Sequence, residues 1–544
     1  MNWEEYRKQI EELGNLPEDW YILGIDLGTT NSIVSYWDNL NGKPEPIDIS
    51  NGFGKIPLPS VVQYRKDYDE EGEWVIGEEA YRSMKIYPET TIRSIKRKMG
   101  TDKKIEIDGV EYLPEDISAK ILTELAEHCQ SLNPKAEIAG VVVSVPYDFD
   151  DAAKKATMRA CEKAGLKDKL ICLIEEPKAA ALAYNFRHNL EKNEKFMVFD
   201  FGGGTLDITI FHVIEKDEKR MKLQVISEGG EAFHGGDNVD EALCELCYKF
   251  IEEKTGQKKE DIAAENVVEI VSRAREAKER LSGVKNFRIP FTFCIPPFVE
   301  QISRDSFEEL ISDFIEKTRK LVLKALRETY TGVLNADDID RVLLEGGSAQ
   351  MPWVKDMLVG IFNNENKIYV SERPALDISL GATYYAAMKM GLLSQPDMET
   401  EKISVEFEVT VPHDIGFEIV NNSRKSFYTM IKRGTPYALA KKNQVFTLSG
   451  DTEEEMTSLD LKIMERIDKE DTIERCKLIG EVHIQGLPKR PSGKTKLKIT
   501  LLVEEEGGIV KGTVEDMGFG AEYPKSDYFK DFDPSRFNKT IVEG

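Results

Sequence analysis

The sequence contains only seven cysteines among 544 residues, scattered without the spacing of a disulfide framework. This excludes a small disulfide-stapled fold and fits a reducing compartment. Cys244 and Cys247 form a C-x-x-C within the helical pattern VDEALCELCYKFIEEK, but no second pair or nearby histidine completes a tetrahedral metal site. We therefore expect both thiols to pack within a helix.

Long apolar runs and basic character are also lacking. No run of about 18 apolar residues occurs, as a membrane-spanning helix would require. The first residues, MNWEEYRKQIEELG, are acidic and amphipathic where a signal peptide is basic and then apolar. Lysine and arginine number 73 against 98 acidic residues, which gives a net charge of -25. Because this charge repels phosphate backbones and anionic lipid, we expect a soluble cytoplasmic protein whose partners are neither nucleic acid nor membrane.

Two widespread nucleotide-binding motifs are missing. No GxxxxGK[ST] occurs, which excludes a P-loop. The segment GGGTLD lacks the following helix, and the acidic residue about 20 positions on, that a dinucleotide fingerprint needs. Any phosphate site must therefore be built in another way.

The length of the chain predicts several folded units. Residues 1–18 have the periodicity of a short helix docked on the body, and its apolar face consists of Trp3, Tyr6, Ile10 and Leu13. From 19 to 393, strands alternate with amphipathic helices such as PEDISAKILTELAEHC, the pattern of a large α/β domain. Residues 394–402 combine a proline and several charges with almost no apolar side chain, which predicts a linker.

After residue 402 the hydrophobic period changes to two. In ISVEFEVTV every second residue is apolar, from Ile403 to Val409, which predicts a β-strand. Similar alternation recurs in SLDLKIM, GEVHIQGL, KLKITLLV and IVKGTVED, between turn-rich stretches such as RPSGK and EEEGG. We predict an antiparallel β-sandwich over 403–525, followed by a tail, 526–544, that is too short for another domain.

One motif occurs twice, in YILGIDLGTTNSIVSYW and KFMVFDFGGGTLDITIF. Each is an apolar strand ending in aspartate, a Gly/Thr turn and an alternating strand, so the repetition predicts a duplicated domain with a cleft between its halves. Glycine lets backbone N–H groups approach phosphate oxygens, and threonine hydroxyls add donors. Asp26 and Asp200 would then face the phosphates through hydrated Mg²⁺. A tight turn with a solvated aspartate explains either motif alone, but not the repetition.

Two further glycine motifs could complete such a site. In DRVLLEGGSAQMPWVKDML, an apolar strand leads through Gly346, Gly347 and Ser348 into a helix whose N-terminus could lie beside a ribose or phosphate. Gly235, Gly236 and Asp237 form a turn before the helix that starts near Val239, placed to close over a nucleotide.

In this order, the segments GIDLGTTNS, SIKRKMG, VVSVPYDF, EEPKAAALAY, DFGGGTLDIT and LEGGSAQMP resemble the 70-kilodalton heat-shock chaperone family. The resemblance covers about 20 to 524, because VPHDIGFEI, KKNQVFTLSGD and IGEVHIQGLPKRPSGK are similar to that family's peptide-binding sandwich. It implies an actin-like, ribonuclease H-like ATPase domain followed by an all-β sandwich. Implied cofactors are ATP or ADP, Mg²⁺ and K⁺.

The resemblance also implies roles in the ATPase domain. Phosphates would be held by the two turns, at Gly28, Thr29, Thr30, Asn31, Gly202, Gly203, Gly204 and Thr205. Mg²⁺, monovalent ions and water would be arranged by Asp26, Glu176, Asp200 and Asp207. Lys96 matches the catalytic lysine, and a cation there suits phosphoryl transfer. Lys278 and Ser282 would lie in the base pocket, and the two further glycine turns would contact the rest of the nucleotide.

Outside the nucleotide pocket, the resemblance implies a relay of nucleotide state through Pro146 and Lys154, where Lys154 replaces the usual arginine and cannot form its bidentate fork. The peptide groove would be lined by Phe417, Val420, Leu459 and Leu461, although for each of them core packing is an equal alternative. Implied partners are extended or unfolded polypeptide, a J-domain co-chaperone and a nucleotide-exchange factor.

Several features depart from the family. Arg275 stands where an acidic residue is usual and Ala375 where an aspartate is usual, so we expect ATP to bind with altered affinity. The apolar interdomain linker is replaced by the acidic PDMETEK, and no helical lid follows the sandwich in this sequence. An open groove should exchange peptide quickly.

These features favour an ATP-dependent chaperone. The alternative from another class is a nucleotide-sensing module that holds one dedicated partner and hydrolyses ATP incidentally. A small-molecule kinase of the same superfold is disfavoured, because we identify no convincing sugar-binding acid.

Overall fold

The computed structural model describes residues 1–49, 56–66, 72–149, 151–217, 220–330, 332–371, 373–393, 404–408, 410–411, 413–421, 424–448, 457–466, 472–504, 510–532 and 539–542. The chain divides into a larger compact unit, Met1–Leu223 with Ser227–Glu406, and a smaller one, Gln224–Ile226 with Phe407–Gly544. The predicted linker, 394–402, lies outside the described residues. No helix in the described ranges is both long and apolar enough to cross a membrane.

The larger unit begins with a helix and then alternates strands with helices. Its strands before the smaller unit are β1 (Trp20–Asp26), β2 (Asn31–Asp38), β3 (Lys43–Pro46), β4 (Leu58–Pro59), β5 (Val61–Arg65), β6 (Glu73–Ile76), β7 (Thr91–Arg93), β8 (Ile105–Ile107), β9 (Val110–Tyr112), β10 (Glu137–Val145), β11 (Leu170–Glu175), β12 (Lys195–Phe201), β13 (Thr205–Lys216), β14 (Arg220–Ala232), β15 (Asn286–Phe291), β16 (Phe298–Ser303), β17 (Arg341–Glu345) and β18 (Ile368–Val370).

The helices all lie in this unit as far as the structure describes the chain. They are α1 (Trp3–Leu13), α2 (Glu78–Ser83), α3 (Pro114–Leu132), α4 (Asp151–Lys163), α5 (Glu176–His188), α6 (Gly236–Thr255), α7 (Ala264–Gly283), α8 (Arg304–Leu310), α9 (Ser312–Arg327), α10 (Pro352–Phe362) and α11 (Asp377–Lys389). Cys244 and Cys247 are buried on α6, where helix packing was predicted.

The two large sheets repeat one topology. In the first, β1 pairs antiparallel with β2 and parallel with β10, which pairs parallel with β11. In the second, β12 pairs antiparallel with β13 and parallel with β17, which pairs parallel with β18. The sheets run β11-β10-β1-β2-β3 and β18-β17-β12-β13-β14. The predicted duplicated α/β fold is confirmed, and each repeated sequence motif is the hairpin at the centre of one sheet.

The strand β19 (Ser404–Glu408) corrects one expectation. Alternation in ISVEFEVTV predicted a first strand of the sandwich, but β19 extends the second large sheet at its β14 edge. Within the larger unit, Glu406 pairs with Arg220 at 2.8 Å, and Val405 is buried. An alternating pattern identifies a strand with one buried face, but does not identify its partner.

Helix α1 forms where predicted. Asn2 caps its N-terminus with a reciprocal capping box with Glu5. Tyr6 and Ile10 are buried, and the Tyr6 hydroxyl donates a hydrogen bond to Glu137 of β10. Leu13, also predicted on the docked face, is 60% exposed. The apolar face by which α1 packs on the larger unit is therefore shorter than the periodicity of the sequence indicated.

The smaller unit is a sandwich of two sheets, as predicted. Its remaining strands are β20 (Asp414–Asn421), β21 (Arg424–Ile431), β22 (Lys441–Leu448), β23 (Ser458–Arg466), β24 (Lys477–Gln485), β25 (Thr495–Val503), β26 (Val510–Asp516), β27 (Phe529–Phe532) and β28 (Lys539–Val542). The sheets run β21-β20-β23-β24-β28 and β22-β25-β26-β27. Pairings are antiparallel except between β24 and β28. Both β27 and β28 lie beyond residue 525, in the segment predicted to be a tail. Each pairs with the last strand of one sheet, so this segment belongs to the sandwich.

Inside the sandwich, alternate side chains of β25 and β26 are buried, which matches the period of two. One ion pair is also buried. Arg490 donates two hydrogen bonds of 2.7 Å to Asp516 and a third, also 2.7 Å, to the Pro524 carbonyl. The exposed fractions of the two charged side chains are 5% and 0%. This pair fixes the loop after β26 against the segment that precedes β25.

Candidate active site

The turns of the two repeated hairpins border one cavity of about 400 Å³. Strand β1 ends at Asp26 and β12 ends one residue after Asp200. Most sequence-predicted site residues meet in the cavity wall, which includes Asp26, Gly28, Thr29, Thr30, Asn31, Lys96, Glu176, Asp200, Gly202, Gly203, Gly204, Thr205, Asp237, Lys278, Ser282, Gly346, Gly347 and Ser348. The topology therefore brings together residues that are as much as 322 positions apart, from 26 to 348.

One glycine in each turn has no room for a side chain. A Cβ atom on Gly203 would lie 1.9 Å from the Thr30 hydroxyl, and one on Gly28 would lie 1.9 Å from the Asn31 carbonyl oxygen. Only glycine leaves room there. The backbones of both turns therefore border the cavity directly, as a phosphate-binding turn requires.

Gly235 and Gly236 are not among the residues that line this cavity, and their contact with a nucleotide stays a prediction. Instead, Gly236 N–H donates to the Gly202 carbonyl at 3.0 Å, and Asp237 N–H donates to the Gly203 carbonyl at 2.8 Å. A Cβ on Gly235 would lie 2.4 Å from the Gly203 oxygen. The start of α6 thus holds the second turn in place, and Asp237 alone of the three faces the cavity.

We expect Gly235→Ala to weaken ATP binding by about tenfold to a hundredfold, because overpacking against backbone commonly costs about 1–3 kcal/mol. The new methyl group would push α6 from the second turn. Titration calorimetry measures the change. Gly283→Ala is the matched control, since nothing lies within 4 Å of its Cβ. Equal affinities in the two variants would show that the turn does not depend on this contact.

Four buried carboxylates form an acidic cluster at the strand ends. Asp200 and Asp207 are directly paired across β12 and β13. Oxygen atoms of Glu176, Asp200 and Asp207 lie within 4.8 Å of one another. Burial and the neighbouring Glu176 raise the pKa of Asp26 to about 7, against the opposing effects of Lys96 and a 2.9 Å hydrogen bond from Ser144. Burial also raises the pKa values of Asp200 and Asp207 well above the usual value.

Lys96 supplies positive charge to this cluster. It lies in the short 3₁₀ turn Ile95–Lys98, is 7% exposed and forms an ion pair with Glu176. Burial opposes its charge, but the carboxylates of Glu176 and Asp26 outweigh burial and raise the pKa of Lys96. Lys96 is therefore a charged ammonium facing the space between the turns.

The donor set fits a hard divalent cation. One lysine does not balance four buried carboxylates, and the Asp207 Oδ1 and Thr30 Oγ1 atoms are buried without a hydrogen-bond partner. Oxygen ligands are those that Mg²⁺ prefers, and it usually retains several waters. A hydrated magnesium ion would supply the charge and the hydrogen-bond donors that the cluster lacks.

Two polar residues of the site escaped the sequence prediction. Arg97 donates from one guanidinium nitrogen to the carbonyls of Gly203 and Gly204, at 3.3 and 3.0 Å. Ser144 donates to Asp26. Both lie within quoted motifs, but a basic run such as KRK does not reveal which of its members reaches another segment.

Both predicted relay residues lie near residues of the site. Pro146 lines a smaller cavity of about 230 Å³ that also includes Thr29, Lys96 and Thr205. Lys154 of α4 lies 3.4 Å from Glu175, the residue before Glu176. A relay through these two residues stays a prediction.

The predicted peptide-binding residues differ in burial. Phe417 and Leu461 are 1% and 5% exposed in the core between the two sheets. Leu459 is partly buried against that core, whereas Val420 is 62% exposed. Their contact with peptide also stays a prediction.

Paired glycine turns, an acidic cluster and a buried lysine lie on a duplicated α/β fold of the actin-like class. The family model described as Hsp70 protein matches residues 22–524. A chaperone protein DnaK of Thermosipho melanesiensis is 32% identical over 511 residues, which cover 92% of this chain and 79% of that protein. Those of Thermotoga petrophila and Thermotoga maritima are 32% identical over 512 residues, with the same coverage. The chain belongs to the Hsp70 family.

Proposed function

We propose that this Hsp70-family protein hydrolyses ATP between the two hairpin turns and couples the nucleotide state to the binding of extended polypeptide in its sandwich. Hsp70 family members bind ATP with Mg²⁺ and are ATPases. The observation that carries the proposal for this chain is the buried ion pair of Lys96 with Glu176, set beside Asp26 and Asp200 in the cavity that both turns border.

Each group has a distinct task in this proposal. The backbone and threonine hydroxyls of the two turns bind the phosphates, and Asp26 and Asp200 would hold a hydrated Mg²⁺. The metal neutralises phosphate charge when bound. Asp207 and Glu176 orient water or bind K⁺, and Lys96 donates toward the charge that develops on the transferred phosphoryl group. Lys278 and Ser348 contact the ribose side of the nucleotide.

Hsp70 family proteins bind unfolded polypeptides and co-chaperones. For this chain we propose extended apolar segments as substrate, held through backbone hydrogen bonds and an apolar pocket. A J-domain co-chaperone and an exchange factor are the proposed partners, in the cytoplasm.

We expect ATP to accelerate release of a fluorescent apolar peptide by about 5- to 150-fold relative to ADP or no nucleotide, the usual range of coupling between two sites. Stopped-flow measurement with several unrelated peptides tests the site, the sandwich and their coupling together. Equal release rates in all three nucleotide states would show that the two activities are uncoupled.

The second candidate is a nucleotide-sensing module for one dedicated partner. The burial of Phe417 and Leu461 favours it, because two of the four predicted groove residues belong to the core. If nearly all peptides in the release panel fail to bind, this candidate replaces the general chaperone.

A further inference from the structure

The smaller cavity, of about 230 Å³, lies beside the proposed ATP site and has a wall that is largely its own. The two cavities have Thr29, Lys96 and Thr205 in common, so that Lys96 borders both. Cavities that hold a whole small-molecule ligand usually measure about 300–1,000 Å³. The smaller cavity therefore has room for an ion such as inorganic phosphate with its waters, but not for a nucleotide.

The wall of the smaller cavity passes from buried to exposed residues. It includes Lys96 and Pro146, which are buried, and also Asp148 and Phe233, which are exposed. Pro146, Asp148 and Phe233 are not among the residues that line the larger cavity. The smaller cavity thus leads from Lys96 to solvent by a route of its own.

The polar groups of the smaller cavity suit the passage of an anion. Lys96 and Arg97 are cationic, and the hydroxyls of Thr29 and Thr205 can donate hydrogen bonds. Charge-assisted hydrogen bonds to phosphate oxygens are strong. Asp148 carries the opposite charge and repels an anion, which offsets part of this attraction. A partial attraction favours passage through the cavity over tight binding within it.

Phe233 covers part of this cavity from an unusual backbone conformation. Its φ of 61° lies in the left-handed region, where residues other than glycine are uncommon. The next residue, His234, is 2% exposed, shares a hydrogen bond of 2.8 Å with Thr318 and stacks on Phe314. The Phe233 ring is 62% exposed, and its centre lies 5.5 Å from the guanidinium carbon of Arg97. The anchored histidine therefore holds the strained backbone, and the ring is held mainly by Arg97.

The contact between Phe233 and Arg97 can open without any movement of the backbone. A cation–π contact at an exposed site is weak, and exposed side chains change rotamer on the picosecond to nanosecond timescale. We propose that the inorganic phosphate formed by ATP hydrolysis leaves through the smaller cavity, and that the Phe233 ring is the gate of this exit. This inference rests on the proposed ATPase function.

The test is single-turnover hydrolysis of Mg²⁺-ATP by the full chain in excess. Rapid quench measures phosphate formation, a fluorescent phosphate-sensor protein measures phosphate release, and a fluorescent analogue measures ADP release. We expect Phe233→Ala to accelerate phosphate release by about two- to fivefold, the factor that an exposed cation–π contact contributes. Phe233→Trp has a larger ring and a stronger cation–π contact, and should slow phosphate release by a similar factor. Phosphate formation and ADP release should stay unchanged, since Phe233 does not line the larger cavity.

Phe529→Ala is the matched control, because Phe529 is an aromatic side chain of the sandwich that is 54% exposed. Equal phosphate release in the wild type and both Phe233 variants overturns the inference and leaves the proposed ATPase intact. A matching change in ADP release, or the same effect in Phe529→Ala, also overturns it. Where wild-type release keeps pace with formation, Phe233→Trp decides, because release that keeps pace there as well contradicts a gate. If no phosphate forms, the proposed function itself fails.

Discussion

Replacing Lys96 by alanine should slow single-turnover ATP hydrolysis by about 10²- to 10³-fold while ATP still binds, since this is the usual cost of one lost donor to developing charge. The ammonium is buried, remains charged and faces the space between the two turns. The phosphates retain the turns and Asp26 and Asp200 retain the metal, so binding depends less on Lys96 than the chemical step does. Rapid-quench measurement with enzyme in excess over ATP reports that step directly.

Lys98→Ala is the matched control, because Lys98 belongs to the same basic run but is exposed. Removal of Lys96 also leaves Glu176 without its ion-pair partner. Thermal unfolding with and without ATP therefore has to accompany the rate measurement, so that a loss of structure is distinguished from a loss of chemistry. A folded Lys96→Ala protein that binds ATP and hydrolyses it at the wild-type rate would remove Lys96 from the mechanism.

The centres of both large sheets were predictable because their signals are local. Each hairpin consists of an apolar strand, a glycine turn and a second strand within 17 residues, and its aspartate marks the strand end. Strand β25 was equally predictable, since the alternating burial of its side chains follows the alternation of apolar and polar residues in its sequence. Where a segment's own pattern determines its structure, the sequence predicts it well.

Features that depend on distant segments were not predictable in the same way. Strand β19 has a clear strand pattern, but its edge position depends on β14, some 180 residues earlier. The Gly235 contact with Gly203 and the Arg97 contact with Gly204 join separate parts of the chain. For Phe417, period-two alternation cannot say whether an apolar side chain meets the opposite sheet or a ligand.

Replacing Arg490 by leucine should destabilise the sandwich by about 3–5 kcal/mol, the usual cost of leaving one member of a buried ion pair alone. Asp516 would then be a buried carboxylate whose remaining hydrogen bonds come from the N–H groups of Gly518 and Ser526, at 3.0 and 2.9 Å. The five tryptophans, Trp3, Trp20, Trp37, Trp74 and Trp353, all belong to the larger unit. In a urea titration, tryptophan fluorescence therefore reports unfolding of the larger unit alone. The far-ultraviolet circular dichroism reports unfolding of both the larger unit and the sandwich.

We expect an early circular-dichroism transition in Arg490→Leu that tryptophan fluorescence does not follow, and no such transition in Lys489→Leu, because Lys489 is exposed. Adding Asp516→Asn should restore part of the stability, since the amide oxygen still accepts hydrogen bonds but carries no charge.

The pH dependence of the sandwich's stability is an independent test of the same ion pair. Burial alone would raise the pKa of Asp516, but hydrogen bonds from Arg490, Gly518 and Ser526 lower it well below its usual value. A lowered pKa stabilises the fold above the unfolded value of about 3.9 and ceases to do so as the pH falls through the folded value. Acid should thus weaken the wild-type sandwich more than the Arg490→Leu sandwich, and equal acid sensitivity would show that this pair does not hold the loop.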